Sequence, residues 1–154
     1  MVAANARDTV AVIDTKERSN QPFQGKTERY SIVFNGEIYN YPELKNDLLE
    51  KGITFETSSD TEVLLYHLIQ NGVNGIDSLD GCFAFAFYDS LEDELILARD
   101  HMGINPLLFS IQENEVLFAS ELHGFKYLLT NWSISTEALN DYFRFTYVPA
   151  PKQC

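Results

Sequence analysis

The sequence has few cysteines, few basic residues and no long hydrophobic segment. Its two cysteines, Cys82 and Cys154, are too few for a disulfide framework and indicate a reducing, cytoplasmic setting. Lys and Arg number 11 against 23 Asp and Glu, so the net charge of −12 disfavours nucleic acid and anionic membrane surfaces as partners. No run of about eighteen apolar residues is present, which argues against a membrane-spanning helix. The first residues lack the apolar segment of a secretory signal.

Apolar and aromatic residues are abundant instead, at 45% and 13% of the chain, which favours a globular domain. β-Branched and aromatic runs bounded by polar links predict strands over residues 10–14, 30–34, 82–89, 94–99, 106–111 and 115–120. Helical spacing and capping residues predict helices over residues 42–51, 61–71, 122–129 and 136–143. Runs of strands followed by runs of helices favour an α+β fold, with antiparallel hairpins joining the strands after residue 82.

A polar triplet, Asn35-Gly36-Glu37, follows the predicted strand 30–34. An asparagine amide and a glycine backbone N–H aimed at one point can stabilise an oxyanion. The same Asn-Gly pair is also a common turn signal, so the spacing by itself favours a plain turn.

Two further polar stretches have structural as well as functional interpretations. Asp60 lies at the start of a predicted helix, where Ser59 and Glu62 have the form of a capping box, or it can receive a ligand ammonium group. Arg99 and Asp100 are expected to form a charge pair at a hairpin turn.

Five stretches together resemble class II glutamine amidotransferases, in particular the glutaminase domain of asparagine synthetase: FNGEIYNYPEL, SSDTEVLL, LDGCFAFAFYD, LARDHMGINPL and LFASEL. The resemblance extends over about residues 10–151. It implies an Ntn-hydrolase-like four-layer αββα sandwich of two antiparallel sheets, incomplete at the N-terminus. It also implies an oxyanion hole at Asn35 and Gly36, and Glu37 and Asp60 around the α-amino group of glutamine.

The sequence departs from this family at its catalytic nucleophile. The family begins Met-Cys-Gly-Ile and attacks glutamine with that cysteine, whereas this chain begins MVAA. Cys82 is predicted to be a buried core thiol and Cys154 is the last residue, so neither is expected to replace it. Thr9 occupies the place of the arginine that clamps the glutamine carboxylate, and Arg7 is two residues away. His101 and Asn105 stand where the family usually has Arg and Lys.

The resemblance implies the activity of glutamine hydrolysis to glutamate and ammonia, for ATP-dependent amidation of aspartate. Because the cysteine is missing, we expect these residues alone to be inactive. The alternatives are a non-catalytic interaction module, docking on a synthetase-type domain or on itself, and residual binding of glutamine. Residues 1–148 are predicted to form the glutaminase-like domain and residues 149–154 to begin a linker. No metal or cofactor is expected in this chain, since ATP and Mg would belong to a synthetase domain.

Overall fold

The structure is a computed structural model that describes residues 21–112, 115–125 and 133–148. The predicted strand 10–14, the linker 149–154 and the residues Arg7, Thr9 and Cys154 lie outside this described part.

Within this described part, the larger sheet has four antiparallel strands in the order β1 (Phe23–Gln24), β2 (Tyr30–Ile38), β3 (Gly81–Asp89) and β4 (Glu94–Arg99). The predictions for β3 and β4 are confirmed, including their hairpin. β1 falls in a segment predicted to be a loop. β2 runs four residues beyond its predicted end, because its pairing with β3 continues in unbroken register from Tyr30 opposite Asp89 to Ile38 opposite Gly81.

A second sheet consists of β5 (Leu108–Ile111) and β6 (Val116–Ala119), which pair antiparallel as predicted. The link between β4 and β5 is not a hairpin, which corrects the sequence prediction, because β4 and β5 belong to different sheets. Asp100 stabilises this link. Its carboxylate accepts hydrogen bonds from the backbone N–H groups of Phe83 and Ile104 at 3.2 and 3.1 Å.

The described residues form three α-helices: α1 (Tyr41–Glu50), α2 (Asp60–Asn71) and α3 (Thr136–Phe145). A 3₁₀ helix at Gly72–Ser78 follows α2, and another occupies Leu122–Phe125 at the start of the predicted helix 122–129. Ser135 caps α3 as predicted, by accepting a hydrogen bond from the Ala138 N–H.

The predicted capping box of α2 is correct in its first half and wrong in its second. Ser59 accepts a hydrogen bond from the Thr61 N–H at 3.1 Å. Glu62 does not return a bond to the Ser59 N–H. Its carboxylate turns toward the preceding loop, where it accepts hydrogen bonds from the Thr57 N–H and hydroxyl, both at 2.7 Å. The Glu62 carboxylate therefore binds the loop residue Thr57 instead of the Ser59 N–H that a capping box would use.

The hydrophobic core lies between one face of the larger sheet and the two helices α1 and α2. Its side chains come from alternate positions of the strands and from one side of each helix: Phe23, Ile32, Phe34, Ile38, Leu44, Leu48, Val63, Leu64, Leu65, Leu68, Phe83, Phe85 and Phe87. Alternate strand residues share a face of a sheet, so the intervening residues of β2 and β3 face away from these helices.

The α+β class and the two antiparallel sheets are thus confirmed. In the described residues, none of the helices has the length and apolar composition needed to cross a bilayer.

Candidate functional site

The triplet Asn35-Gly36-Glu37 lies inside β2 and is not a turn, so the turn interpretation is wrong. Asn35 is opposite Ala84, Gly36 is opposite Phe83, and Glu37 is opposite Cys82. The sequence signal failed here because an Asn-Gly pair starts a hairpin only where the chain reverses, and the continued pairing with β3 holds this segment extended.

Gly36 occupies a position that a side chain could not enter. Its φ of +138° is rarely adopted by L-residues. A Cβ atom placed on Gly36 would overlap the carbonyl oxygen of Cys82, and it would lie 2.7 Å from the Cα of Phe83. Glycine is therefore required at this point of the strand for two separate reasons.

Asn35 and Glu37 project from the face of the sheet that is opposite the core. Phe34 and Ile38 on either side of them are buried, whereas Asn35 and Glu37 are exposed. Because residues two apart on a strand point the same way, the asparagine amide and the glutamate carboxylate share one accessible face.

The backbone N–H of Gly36 points away from β3. Backbone groups of an antiparallel strand alternate between its two neighbours. The backbone N–H and C=O of Phe83 in β3 both bond to Asp100, which lies on the side of β3 away from β2. Phe83 therefore makes no backbone bond to β2, and Phe83 and Gly36 form a non-hydrogen-bonded pair. The preceding C=O of Asn35 is therefore directed at β3, and the planar peptide places the Gly36 N–H on the other side. We call this side, with the outward backbone groups of Phe34, Gly36 and Ile38, the β2 edge.

Asp60 reaches the same β2 edge from the first turn of α2. Its carboxylate accepts a hydrogen bond from the Ile38 N–H at 3.3 Å, and its side chain is only 5% exposed. Ser59 is the capping residue of the helix, and Asp60 also accepts a hydrogen bond from the Thr61 N–H in the first turn, so its helix-terminal role is confirmed and the bond to Ile38 is additional to it. The structure thus brings Asp60 next to the strand that carries the other three predicted site residues.

Burial is the main reason why the pKa of Asp60 is raised. Hydrogen bonds from the backbone N–H groups of Ile38 and Thr61 act in the opposite direction, and the negative charge of Glu37 adds to the increase. Two carboxylates that repel one another at a strand edge form an environment that favours a cation.

Asn105 is a neighbour of this site that the sequence prediction did not include among the site residues. Its side-chain amide donates a hydrogen bond to the carbonyl oxygen of Cys82 at 2.9 Å and lies beside Gly36.

Residues 100–105 were expected to be held by a charge pair between Arg99 and Asp100, and that prediction is wrong. Arg99 donates to the carbonyl oxygen of Gly103, while Asp100 accepts only backbone N–H groups among its hydrogen bonds within the described residues.

Cys82 is half-buried, which corrects the prediction of a fully buried thiol. It lies near the start of β3, opposite Glu37 and on the same face, where its sulfur accepts a hydrogen bond from the Tyr39 hydroxyl at 3.3 Å. This hydrogen bond is the main reason why the pKa of Tyr39 is raised. The partner of Cys82 is thus a phenol, and no histidine or lysine is bonded to it in the described part of the chain.

Within residues 21–112, 115–125 and 133–148, no group of three or more His, Cys, Asp or Glu side chains is arranged to hold a metal ion. The arrangement at the β2 edge can instead offer hydrogen-bond donors to one end of a small molecule and carboxylates to a positive charge.

Comparison with known proteins identifies matches over nearly the whole chain. A family model described as a glutamine amidotransferase domain matches residues 2–154. Asparagine synthetase [glutamine-hydrolyzing] 1 of Bacillus subtilis is 41% identical over 92% of this chain and 22% of its own length. Asparagine synthetase B [glutamine-hydrolyzing] of Escherichia coli is 36% identical over 76% of the chain and 21% of its own length. The chain therefore spans about a fifth of these relatives.

A solved structure has a similar fold. Glutamine phosphoribosylpyrophosphate amidotransferase from Bacillus subtilis matches with a TM-score of 0.60 and 31% identity, over 73% of this chain and 27% of that protein.

Proposed function

Because this chain belongs to the glutamine amidotransferase domain family, we propose that the β2 edge is a binding site for the side-chain amide and the α-amino group of glutamine. The observation that carries this proposal is that Asn35, Gly36 and Glu37 are consecutive in β2, while the carboxylate of Asp60 bonds to the Ile38 N–H of the same strand and lies close enough to Glu37 for the charge of Glu37 to raise the pKa of Asp60. Two of them offer donors and two offer carboxylates, which matches the two polar ends of the ligand.

Asn35 and Gly36 serve as an oxyanion hole in this proposal. The amide of Asn35 and the backbone N–H of Gly36 donate hydrogen bonds to the side-chain carbonyl oxygen of glutamine. When a nucleophile adds to that carbonyl, the oxygen becomes negative, and each donor then stabilises it by roughly 2.7–4 kcal/mol.

Glu37 and Asp60 receive the α-ammonium group of glutamine. Asp60 is buried and anchored to the strand, so it holds a fixed position, whereas the exposed Glu37 can adjust to the ligand. Binding of a cation offsets the repulsion between the two carboxylates, which is a favourable term additional to the direct hydrogen bonds.

Binding is tested by nuclear magnetic resonance titration of the chain with L-glutamine. Asp60→Asn removes the charge while keeping the shape, and we expect it to weaken binding at least tenfold. The matched control is Asp47→Asn on the exposed side of α1, which should leave the affinity unchanged. No shift of the signals of β2 at millimolar glutamine would refute the proposal.

Hydrolysis is a separate part of the proposal. Neither cysteine of this chain acts as the nucleophile in this proposal. A polypeptide of these 154 residues is therefore expected to bind glutamine without cleaving it. In a longer protein, a cysteine outside these residues would attack the amide, and a synthetase-type domain would use the ammonia to amidate aspartate with ATP. Incubation with glutamine followed by assay of glutamate and ammonia tests this. Turnover that thiol alkylation abolishes, and that Cys82→Ser also abolishes, would contradict it.

A second candidate function is docking on a synthetase-type domain, and the exposed side of α3 favours it. Leu139, Tyr142 and Phe143 recur at helical spacing, and all are exposed, Phe143 by 76%. The longer relatives offer such a domain as the partner. Phe143→Ser should weaken association with a purified synthetase-type domain, whereas Val73→Ser, a control that is 57% exposed and lies outside α3, should not. Equal association of both variants with the partner would count against this function.

A further inference from the structure

Gln21 forms two short hydrogen bonds with the β2 edge, immediately before the proposed oxyanion hole. Its side-chain amide nitrogen donates to the carbonyl oxygen of Phe34 at 2.6 Å, and its side-chain oxygen accepts from the Phe34 N–H at 2.6 Å. A side chain here makes the pair of bonds that a neighbouring strand would ordinarily make with its backbone.

The register explains why a side chain takes this role. β1 pairs with β2 through Phe23 opposite Ile32, so continuing that register by two residues places Gln21 opposite Phe34. Pro22 lies between Gln21 and the first residue of β1, and proline is confined to strand ends and edges. Just before β1 begins, the side-chain amide of Gln21 thus makes the bonds to β2 that the backbone of Gln21 would otherwise make.

Phe34 and Ile38 bracket Gly36 along the β2 edge. Gln21 holds the backbone of Phe34, and Asp60 holds the N–H of Ile38, so the strand is fixed two residues before and two residues after Gly36. Gly36 itself has the conformational freedom of a glycine at φ +138°. The direction of its N–H therefore depends on the pairing of Asn35 with β3 on one side of the strand and on the bonds that hold Phe34 and Ile38 on the other side.

We propose that Gln21 is a positioning residue for the oxyanion hole, which aligns the Gly36 N–H and the Asn35 amide by pairing with the backbone of Phe34. This inference rests on the proposed function, since it assigns Gln21 to the glutamine amide end of that same site. Gln21 does not touch the ligand in this arrangement. It acts through the peptide units that run from Phe34 to Gly36.

The test separates the two ends of the ligand. L-Norvaline has the α-amino group and the chain length of L-glutamine but no side-chain amide, so it engages Glu37 and Asp60 without the oxyanion hole. Gln21→Met keeps the size of the side chain and removes both hydrogen bonds. We expect it to weaken binding of L-glutamine roughly three- to tenfold, the value of about one hydrogen bond, and to leave L-norvaline within about twofold.

Gln24→Met is the matched control, because Gln24 is an exposed glutamine on β1 whose backbone alone pairs with β2. We expect it to change neither affinity. Hydrogen exchange of the Phe34 amide should accelerate in Gln21→Met, while the Phe85 amide in the middle of the sheet keeps its protection. If Gln21→Met does not fold, Gln21→Glu provides the test, since it keeps the acceptor for the Phe34 N–H and loses the donor to the Phe34 carbonyl.

The outcomes distinguish the positioning role of Gln21 from the proposed binding of glutamine on which it rests. An unchanged affinity for L-glutamine, or an equal loss for both ligands in a folded variant, would overturn the role of Gln21 and leave the binding site standing. Failure of the parent chain to bind either ligand would refute the proposed function itself, and the inference with it.

Discussion

At Gly36, two constraints on a single residue exclude any side chain. Its φ of +138° and the carbonyl oxygen of Cys82 each oppose a Cβ atom. We predict that Gly36→Ala lowers the free energy of unfolding by about 2–4 kcal/mol, from backbone strain and overpacking together. Gly52 is the matched control, because it also has positive φ, +83°, but open space around it. Urea denaturation of both variants measures the difference, and an equal loss in the two would show that the close contact with β3 contributes nothing.

Asp60 is a residue whose ionisation opposes folding. Its pKa is raised in the folded chain, chiefly by burial, so the folded state holds the proton more tightly than the unfolded state. The cost of its charge is therefore absent at pH values below the unfolded pKa of about 3.9 and is complete above the folded pKa.

We predict that Asp60→Asn is more stable than the parent chain at pH 7, and that this advantage shrinks as the pH falls toward 4. Asparagine keeps an oxygen that can accept from the Ile38 N–H while removing the charge. Urea denaturation at several pH values measures the difference, with Asp47→Asn as an exposed control. A variant that is less stable at pH 7 would mean that the hydrogen bonds of the carboxylate outweigh its burial.

At the scale of elements, α2 is joined to the preceding loop by a buried carboxylate. Glu62 is 1% exposed and accepts hydrogen bonds from the Glu56 N–H, the Thr57 N–H and the Thr57 hydroxyl. These bonds hold the loop against the first turn of α2, from which Asp60 reaches the β2 edge. The position of Asp60 is thus set by contacts that its own neighbours make.

We predict that Glu62→Ala destabilises the chain by about 2–4 kcal/mol, because it leaves a cavity and buried donors without an acceptor. Glu43→Ala, in the first turn of α1, is the control and should change stability by less than about 0.5 kcal/mol, since Glu43 is exposed. Thermal unfolding followed by circular dichroism measures both variants. Similar midpoints for the two would contradict the anchoring role of Glu62.

At the scale of the whole molecule, the net charge of −12 opposes compaction. The salt bridges between described residues are few, and the strongest is the two-bond pair of Arg29 with Asp89, at 2.7 and 2.6 Å. Repulsion over long distances is therefore expected to exceed local attraction.

We predict that the thermal midpoint rises when salt increases from 10 to 150 mM, because the screening length falls from about 30 to about 8 Å. Differential scanning calorimetry at fixed pH measures this effect. Sodium chloride serves for the series, and an equal osmolarity of glycerol controls for effects other than screening. A falling midpoint would show that attractive pairs such as Arg29–Asp89 dominate.

The sequence by itself determined most of the strands and α-helices of the described residues, since periodicity and capping depend on near neighbours, but it did not predict β1. It placed β3, β4 and both capping serines correctly. Its family resemblance selected Asn35, Gly36, Glu37 and Asp60, and the glutamine amidotransferase family is confirmed, while the roles of these residues remain predictions. The end of β2 and the exposure of Cys82, which the sequence misjudged, depend on partners distant along the chain. The direction of Glu62, also misjudged, depends on a choice between the cap and the loop at residues 56–57.

Only the tertiary structure decided that Asn-Gly is a strand segment and that Asp60 meets Ile38 at a shared edge. Both facts follow from hydrogen bonds between segments that are 22 or more residues apart, as in the contact of Asp60 with Ile38 and the pairing of Asn35 with Ala84. Backbone groups must find partners somewhere in the fold, and local pattern does not say which segment provides them.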